Sequence, residues 1–256
     1  METVSHHGRT TAYRRTDFGD GDPVVYVHGS GGIHEIWVHQ YGNRGDRPAV
    51  ALDLSGHGES DDVDTPAGPE TLDAYAEDVV AVARETGATA LVGNSLGGAV
   101  IQHVALERDF DAEALVLCGT GAKLGVHDEL KRRLADDFDA AIEMVHGDDM
   151  LFHDAGPQAV ADSKETMRAV GREVTERDFL TCDAFDVRDR VGDIDTPSLA
   201  ITGEHDRLTP VKYHEYLAEH LPDCELAVVE GAAHLSMLER GESWNEAVDG
   251  FLAGLE

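Results

Sequence analysis

The sequence lacks the features that mark membrane proteins and nucleic-acid-binding proteins. No window of the 256 residues holds about 18 consecutive apolar residues, and the first fifteen residues contain no apolar secretion core. Only 20 basic residues stand against 51 acidic ones, and the longest basic cluster, 131–133, is followed closely by two aspartates. We therefore expect no membrane partner, no nucleic-acid partner and a cytoplasmic location.

Cysteine is also scarce. Cys118, Cys182 and Cys224 form no close pair and leave an odd count. In a chain without a secretion signal, this pattern predicts free thiols rather than disulfides. Cys118 follows the apolar run ALVL and is therefore expected to be a buried small residue. A nucleophilic role would need an activating neighbour, and the sequence shows none.

Lysine is scarce as well, since only four of the twenty basic residues are lysines. The formal charge of −31 comes from acids spread through every segment rather than from one acidic tail. A dispersed carboxylate surface stays hydrated in molar salt, which screens its self-repulsion. We therefore hypothesise an origin in a halophile that accumulates salt in its cytoplasm. The 41% of hydrophobic residues is enough for a substantial core.

Short β-rich runs alternate with longer segments of helical period. The predicted strands are Pro23–Val27, Ala49–Leu54, Thr89–Gly93, Ala114–Cys118, Pro197–Thr202 and Glu225–Val229. The predicted helices are Leu72–Glu85, Leu96–Glu107, Val211–His220 and Ser243–Leu252. Near-continuous apolar strands that alternate with helices indicate an α/β fold with a mostly parallel, doubly wound sheet.

One interval interrupts this alternation. Residues 127–187 contain no convincing strand, so they cannot extend the sheet and are predicted to form a helical lid above it. The chain then divides into a core part over 1–126, the lid over 127–187 and a second core part over 188–256. The apolar lid residues form either the roof of a pocket or the lid's own core; they are Leu130, Leu134, Phe138, Ile142, Val145, Met150, Leu151 and Phe152.

The most specific motif is Gly93-Asn94-Ser95-Leu96-Gly97-Gly98, which lies between a predicted strand and a predicted helix. Gly-x-Ser-x-Gly in a strand–turn–helix setting is typical of a nucleophile elbow. The serine of such a turn has a strained backbone, so the residues two before and two after it must be very small. Gly93 and Gly97 meet that need, and Ser95 is predicted to be a nucleophile.

A serine nucleophile needs a base, and the base needs an acid that orients it. Asp206 and His234 each follow a predicted strand, and the order Ser95, Asp206, His234 is that of α/β-hydrolases. All three would lie at the carboxyl ends of parallel strands, where ligands gather in such sheets. Glu204, two residues nearer its strand, is the alternative acid.

A tetrahedral oxyanion needs two backbone donors. One would be the amide of Leu96, directly after the nucleophile, and the other would come from the loop His28–Gly32 after the first predicted strand. Ser30 is our first choice for this second donor and Gly31 the alternative. A dinucleotide site in this loop is excluded by spacing, because position 34 is histidine.

No metal site and no cofactor are predicted. The chain has fourteen histidines, but no His-Glu-x-x-His motif and no Cys/His spacing typical of metal ligands. In the turn Asp53–Ser60, Gly56 and Gly58 are expected to turn the chain, and the role of His57 is expected to be structural.

These motifs together resemble the α/β-hydrolase superfamily, in the branch of lidded esterases, lactonases and C–C hydrolases. The matching pieces run from Val24–Gly29 through Asp53–Ser60, Gly93–Gly98 and Gly203–Asp206 to Gly231–His234. The resemblance implies that Ser95 is the nucleophile, His234 the general base and then acid, and Asp206 the orienting acid. It also implies that Ser30 and Leu96 supply the oxyanion amides.

Differences between this sequence and particular branches of the family reduce the number of candidate reactions. Epoxide hydrolases and haloalkane dehalogenases of this fold have aspartate at the position of Ser95. C–C hydrolases that act on meta-cleavage products usually continue the early loop with Pro-Gly, where this chain has Gly32-Ile33. They also commonly carry tryptophan after the histidine, and here that residue is Leu235.

The expected function is therefore carboxylesterase-like hydrolysis of a small to medium ester or lactone through an acyl-enzyme. A C–C hydrolase, an acyltransferase or a lyase on the same scaffold are the alternatives. A non-catalytic ligand-binding module would not need the three residues Ser95, Asp206 and His234. The expected partner is a small-molecule substrate, and both a monomer and a homodimer are compatible with the sequence.

Overall fold

A single sheet organises the protein in the computed structural model, which describes residues 1–16, 19–41 and 47–255. The strands in these ranges are β1 (Glu2–His6), β2 (Arg9–Arg15), β3 (Val24–Val27), β4 (Ala49–Leu52), β5 (Ala90–Asn94), β6 (Ala114–Cys118), β7 (Ser198–Gly203) and β8 (Cys224–Val229). Their order across the sheet is β1-β2-β4-β3-β5-β6-β7-β8. The pairs from β4 to β8 are parallel, whereas β1–β2 and β2–β4 are antiparallel.

The six strands predicted from apolar runs correspond to β3–β8, with ends that shift by no more than two residues. The largest shift is at the end of β4, which stops at Leu52 rather than Leu54. All residues of β3–β7 are buried, which explains why these strands read as continuous apolar runs. Because the six strands are parallel, their carboxyl ends share one edge of the sheet.

The sequence analysis missed the hairpin of β1 and β2. These strands lie at the edge of the sheet and are rich in polar residues, so they lack the apolar run that identifies a buried strand. A tight turn joins them at His7 and Gly8, whose φ angles are 47° and 79°. Positive φ at both central residues suits the right-handed twist of a two-residue hairpin.

Helices cover both faces of the sheet. Those in the described ranges are α1 (Val38–Tyr41), α2 (Pro69–Thr86), α3 (Leu96–Glu107), α4 (Asp128–Asp136), α5 (Phe138–Val145), α6 (Pro157–Val170), α7 (Arg172–Ala184), α8 (Val211–His220), α9 (Ser236–Glu239) and α10 (Gly241–Ala253). The four predicted helices are α2, α3, α8 and α10. None of the described helices is both long and apolar enough to cross a lipid bilayer.

Residues 127–187 form α4–α7 between β6 and β7, and no strand occurs among these described residues. An isolated antiparallel bridge between Lys123 and Asp186 joins the two ends of this segment. The segment is thus an excursion that begins and ends at nearby points, after which the chain runs to the opposite edge of the sheet to begin β7, parallel to β6.

Alternate residues of the buried strands β3–β7 enter two apolar layers. Val25 and Val27 pack with α2, α3 and α8 on one face. Val24 and Tyr26 pack on the other face with α1, α10 and the apolar residues of α4 and α5. The inserted helices therefore share a continuous core with the sheet, which holds them above its carboxyl edge.

Candidate active site

The turn between β5 and α3 holds Ser95 in a backbone conformation that side chains rarely adopt. Its φ and ψ angles are 56° and −115°. A Cβ atom on Gly93 would lie 2.3 Å from the carbonyl oxygen of Gly97, and one on Gly97 would lie 2.4 Å from that of Val27. Only glycine fits at both positions. The turn exposes Ser95 to a cavity at the carboxyl edge of the sheet.

The loops after β7 and β8 bring Asp206 and His234 together. The Nδ1 atom of His234 donates a hydrogen bond of 2.8 Å to Oδ2 of Asp206, and both side chains are buried. This bond makes Nδ1 the protonated nitrogen when the imidazole is neutral, so Nε2 is the nitrogen left to accept a proton. His234 and Ser95 line the same cavity.

The Asp206 carboxylate is saturated with donors. Its Oδ1 accepts hydrogen bonds of 2.8 Å from the amides of Leu208 and Thr209, and its Oδ2 accepts one of 2.8 Å from the Thr209 hydroxyl. Burial alone would raise the pKa of Asp206, but His234 and the Thr209 hydrogen bonds lower it below its ordinary value. The group is therefore a carboxylate at neutral pH.

Glu204 lies apart from this pair. Its carboxylate is exposed, accepts a hydrogen bond of 3.2 Å from the Gly231 amide, and lies 3.6 Å from the His205 ring. The acid that contacts His234 is thus Asp206 and not the alternative weighed from the sequence.

Two further residues that the sequence analysis missed shape the surroundings of His234. A Cβ atom on Gly119, whose φ is 52°, would lie 3.2 Å from two atoms of the His234 ring. The Asn94 side-chain amide donates a hydrogen bond of 3.4 Å to the His234 carbonyl. Gly119 directly follows β6, as the other site residues follow their strands, and this position is the signal that could have identified it.

The loop after β3 lies directly against the nucleophile turn, since a Cβ atom on Gly29 would lie 3.0 Å from the Cβ of Ser95. Among the described residues, neither the Ser30 amide nor the Leu96 amide donates a hydrogen bond. The Gly31 amide, in contrast, donates a hydrogen bond of 3.0 Å to Oδ2 of Asp178. Of the two donors considered for this loop, Ser30 is therefore the one with a free N–H.

Asp178, whose carboxylate contacts this loop, is a residue that the sequence analysis did not single out. It belongs to α7, is fully buried, and also accepts hydrogen bonds from Nε2 of His57 and the hydroxyl of Tyr75. Its only trace in the sequence is its spacing from Thr175 and Cys182, which puts the three residues on one face of α7. An acidic residue on an otherwise highly charged helix gives no local sign of burial.

His28 is held as a neutral imidazole beside this network. Its Nδ1 donates a hydrogen bond of 2.9 Å to the Gly29 carbonyl, and its Nε2 accepts one of 3.0 Å from the Leu54 amide. Burial, together with a smaller effect of the nearby His57, lowers the pKa of His28 to about 4. The histidine thus fixes the path of the loop that follows β3.

The cavity above Ser95 has a volume of about 940 Å³ and a mainly apolar lining. Among the apolar lid residues that the sequence singled out, Leu130, Met150 and Leu151 line it. Leu134, Ile142, Val145 and Phe152 are instead buried in the core that the lid shares with the sheet. Met144, Met167 and Phe179, which the sequence analysis did not name, complete the apolar roof.

The cysteine side chains remain thiols. Burial raises the pKa of Cys118 to about 11 and that of Cys182 to about 12, although Cys182 borders the cavity. The buried Cys118 follows the prediction from its apolar run. Neither sulfur has the thiolate character that a cysteine nucleophile requires.

Within the described ranges, one group of side chains lies close enough together to be considered as a metal site. Asp149, His153 and His205 each offer a ligand atom within 4.8 Å of the others. The rings of His153 and His205 are stacked at 3.7 Å with an interplanar angle of 18°, and Nδ1 of His153 is already bonded to Asp149. Stacked rings direct their in-plane lone pairs side by side rather than toward one point, so a ring would have to turn before both could bind one ion.

Comparison with known proteins agrees with this arrangement. The chain is 26% identical over 249 residues to 3-oxoadipate enol-lactonase 2 of Acinetobacter baylyi, covering 91% of this chain and 90% of that protein. It is also 26% identical to 2-hydroxy-6-oxo-6-phenylhexa-2,4-dienoate hydrolase of Burkholderia cepacia, covering 93% and 90%. A solved thermophilic esterase superimposes with a TM-score of 0.86 at 32% identity, covering 99% of this chain and 97% of that one.

The model of the alpha/beta hydrolase family matches residues 24–247, which span β3 to α10 and include every site residue described above. The sheet order, the inserted helices and the turn at Ser95 fit the same assignment. The chain belongs to the alpha/beta hydrolase family, and its relatives include esterases, an enol-lactonase and C–C hydrolases.

Proposed function

We propose that this protein is a serine hydrolase that cleaves small to medium carboxylic esters or lactones through an acyl-enzyme. The observation that carries the proposal is the Asp206–His234 hydrogen bond of 2.8 Å, at a cavity that the strained Ser95 also lines. A buried carboxylate that orients a histidine beside a nucleophile is the arrangement that activates serine.

In the proposed reaction, Nε2 of His234 takes the proton of Ser95 as its hydroxyl oxygen attacks the substrate carbonyl. The negative charge that develops on the carbonyl oxygen is stabilised by the amides of Ser30 and Leu96. His234 then gives its proton to the leaving alcohol, and the bond between the carbonyl carbon and that oxygen breaks. For a lactone, the leaving alcohol stays attached to the acyl group.

Water completes the cycle in the second half of the reaction. His234 takes a proton from the water as it attacks the acyl-enzyme, and returns that proton to Ser95 when the acid leaves. His234 keeps its Nδ1 proton throughout, and Asp206 accepts the hydrogen bond from it and stabilises the imidazolium that forms twice per turnover.

Two observations support the ester or lactone class. The apolar lining suits acyl groups of small to medium size, and an esterase and an enol-lactonase are among the relatives. We also propose that residues 127–187 act as a lid, because this segment contributes Met144, Met167 and Phe179 to the roof of the cavity. A roof of this kind favours small molecules over polymers.

C–C bond hydrolysis is the second candidate. The relative from Burkholderia cepacia, at 26% identity over almost the whole chain, is a hydrolase of a vinylogous diketone acid. The same serine, histidine and oxyanion amides could serve that reaction, but Gly32-Ile33 and Leu235 depart from the pattern of that group.

The test is hydrolysis of p-nitrophenyl esters from acetyl to dodecanoyl in molar KCl. We expect turnover that disappears in Ser95→Ala and remains in Ser243→Ala, because Ser243 is exposed on α10 and does not line the cavity. The dependence of kcat/KM on chain length would measure the size of the pocket. A Ser95→Ala variant with unchanged turnover would remove Ser95 from the mechanism.

Labelling with a fluorophosphonate separates a failed substrate choice from a failed mechanism. If the folded protein is labelled at Ser95 but hydrolyses no ester of the series, the nucleophile stands and the substrate class is wrong. Lactones and vinylogous diketones would then be assayed with the same two variants.

A further inference from the structure

One face of α7 lies on the loop that follows β3. Thr175, Asp178 and Cys182 are spaced three and four residues apart and so share that face. A Cβ atom on Gly31 would lie 3.2 Å from the Thr175 methyl carbon, and the Ser30 hydroxyl lies 3.6 Å from the Cys182 sulfur. The lid helix therefore contacts the loop directly at the residue whose amide we propose as an oxyanion donor, and at the next one.

The polar centre of this contact is the Asp178 carboxylate, which is fully buried. Its Oδ2 accepts hydrogen bonds from the Gly31 amide at 3.0 Å and from Nε2 of His57 at 2.9 Å. Its Oδ1 accepts one of 2.7 Å from the Tyr75 hydroxyl. A buried carboxylate is tolerated only when donors and a positive charge compensate it, and here both are present.

His57 supplies the positive charge. Its Nε2 faces Asp178 and its Nδ1 faces the Ser55 carbonyl at 3.2 Å, so both ring nitrogens meet acceptors and both carry protons. Burial alone would lower the pKa of His57, but the Asp178 carboxylate raises it above its ordinary value. The His28 ring, 4.6 Å away, stays neutral because its Nε2 accepts the Leu54 amide.

Other residues of α7 form hydrogen bonds with the loop over residues 62–68. Arg177 donates a hydrogen bond of 2.7 Å to the Val63 carbonyl, and its second terminal nitrogen pairs with Asp62 at 2.6 Å. The Thr181 hydroxyl accepts one of 2.9 Å from the Gly68 amide. These bonds hold α7 against the loop over 62–68, so α7 is an anchored part of the insertion.

We propose that Asp178 is a positioning residue, which holds the Gly31 amide and thereby aims the preceding amide, that of Ser30, at the substrate oxyanion. The inference rests on the proposed role of Ser30 in ester or lactone hydrolysis. The His57 imidazolium and the Tyr75 hydroxyl keep the Asp178 carboxylate ionised and oriented. The lid thus contributes to catalysis through α7 as well as covering the cavity.

The first variant is Asp178→Asn, which keeps the size of the side chain, removes its charge and leaves one oxygen where three donors now meet two. We expect kcat for the best p-nitrophenyl ester to fall roughly 10- to 100-fold with KM changed less than about threefold, since losing an oxyanion donor outright costs on the order of 10²–10³ in kcat. Asp183→Asn on the same helix is the matched control, because its amide oxygen can still accept the Val126 amide. A wild-type kcat in a folded Asp178→Asn would overturn the inference.

A double variant guards against a failure to fold. Asp178→Asn leaves His57 without its counter-ion, whereas Asp178→Asn combined with His57→Gln removes both buried charges at once. We expect the double variant to recover most of the lost melting temperature and to keep the lowered kcat. Recovery of kcat together with stability would reduce Asp178 to a purely structural residue.

A spectroscopic readout is independent of activity. In the ¹³C and ¹⁵N spectra of labelled histidines, we expect an imidazolium signal that disappears in His57→Gln and shifts to neutral imidazole in Asp178→Asn. If the His57→Gln spectrum kept every imidazolium signal of the wild type, His57 would not be charged and the ion pair with Asp178 would be excluded. Ser95→Ala is assayed alongside: if it stays active, the proposed function fails, whereas an inactive Ser95→Ala with a wild-type Asp178→Asn defeats only the positioning role.

Discussion

The Nδ1 atom of His234 lies 2.8 Å from Oδ2 of Asp206, and the Thr209 hydroxyl lies within 3.2 Å of that same nitrogen. The three side chains are buried and come from the loops after two neighbouring strands, β7 and β8. Their contact leaves His234 a single orientation in which its other ring nitrogen is available for a proton. The consequences can be measured.

Replacement of Asp206 by asparagine should keep the size of the side chain and remove its charge. An amide cannot hold the Nδ1 proton in the same way, so His234 would be stabilised in the wrong tautomer. We expect kcat to fall on the order of 10³-fold or more, with a smaller effect on KM. Steady-state kinetics on a p-nitrophenyl ester measure both constants.

Glu204→Gln is the matched control for that variant, because Glu204 is exposed on the same loop and contacts the Gly231 amide rather than His234. We expect kcat within about threefold of the wild type. Equal losses in the two variants would mean that the acid has been assigned to the wrong residue.

Replacement of Gly119 by alanine should press a new Cβ atom against Cε1 and Nδ1 of the His234 ring. The new Cβ would lie 3.2 Å from the ring and the φ of 52° is unfavourable for alanine. We expect a loss of roughly 1 kcal/mol in the free energy of unfolding and a kcat lowered about tenfold. Urea unfolding and ester hydrolysis give the two numbers.

Gly250→Ala serves as the control for a glycine substitution. Gly250 lies inside α10, and a Cβ there meets nothing within 4 Å. Alanine should therefore stabilise the helix by about 0.5–1 kcal/mol and leave kcat unchanged. If Gly119→Ala behaved like Gly250→Ala, the close packing of the His234 ring would not matter for function.

Buried His214 should make the protein less stable in acid. Its Nε2 accepts a hydrogen bond of 3.0 Å from the Thr120 amide, and burial lowers its pKa to about 4. The unfolded chain takes up a proton at His214 below about pH 6.5 while the folded chain does not, so stability falls as the pH drops from there toward 4. The loss attributable to this residue is roughly 3 kcal/mol.

His214→Gln should flatten that dependence, since glutamine does not titrate and its oxygen can accept the Thr120 amide. The free energy of unfolding, measured with urea near pH 7 and again near pH 4.5, should fall less in this variant than in the wild type. His220→Gln, an exposed position at the end of the same helix, should leave the wild-type dependence intact. Identical slopes in His214→Gln and the wild type would exclude this histidine as the cause.

Salt should stabilise the protein through its net charge of −31. The Debye screening length falls to about 3 Å in molar salt, so most of the repulsion between dispersed surface carboxylates is removed. We expect the melting temperature to rise between about 0.1 M and 2 M KCl, as the hypothesis of a halophilic origin requires. A melting temperature that does not change over this range would end that hypothesis.

Most of the sheet could be read from the sequence because burial on both faces leaves a continuous apolar run. The strand β6 has the predicted bounds, and the helices α3 and α8 begin and end where the sequence indicates. The hairpin of β1 and β2 left no such run, because it pairs at the edge of the sheet with mainly polar side chains. Its stability comes from pairing with β4, which local patterns do not record.

The sequence alone indicated the turns that carry Ser95, Asp206 and His234, because each turn directly follows an apolar strand and contains the glycine that a tight turn needs. Tertiary structure placed Asp206 rather than Glu204 against His234, and it paired the Gly31 amide with Asp178 while the Ser30 amide has no acceptor among the described residues. It also brought Asp178 to His57 across 121 residues and to Gly31 across 147. Such contacts form only when separate elements pack against each other. The interaction energy that stabilises them comes from residues far apart in the sequence, so no local pattern reveals it.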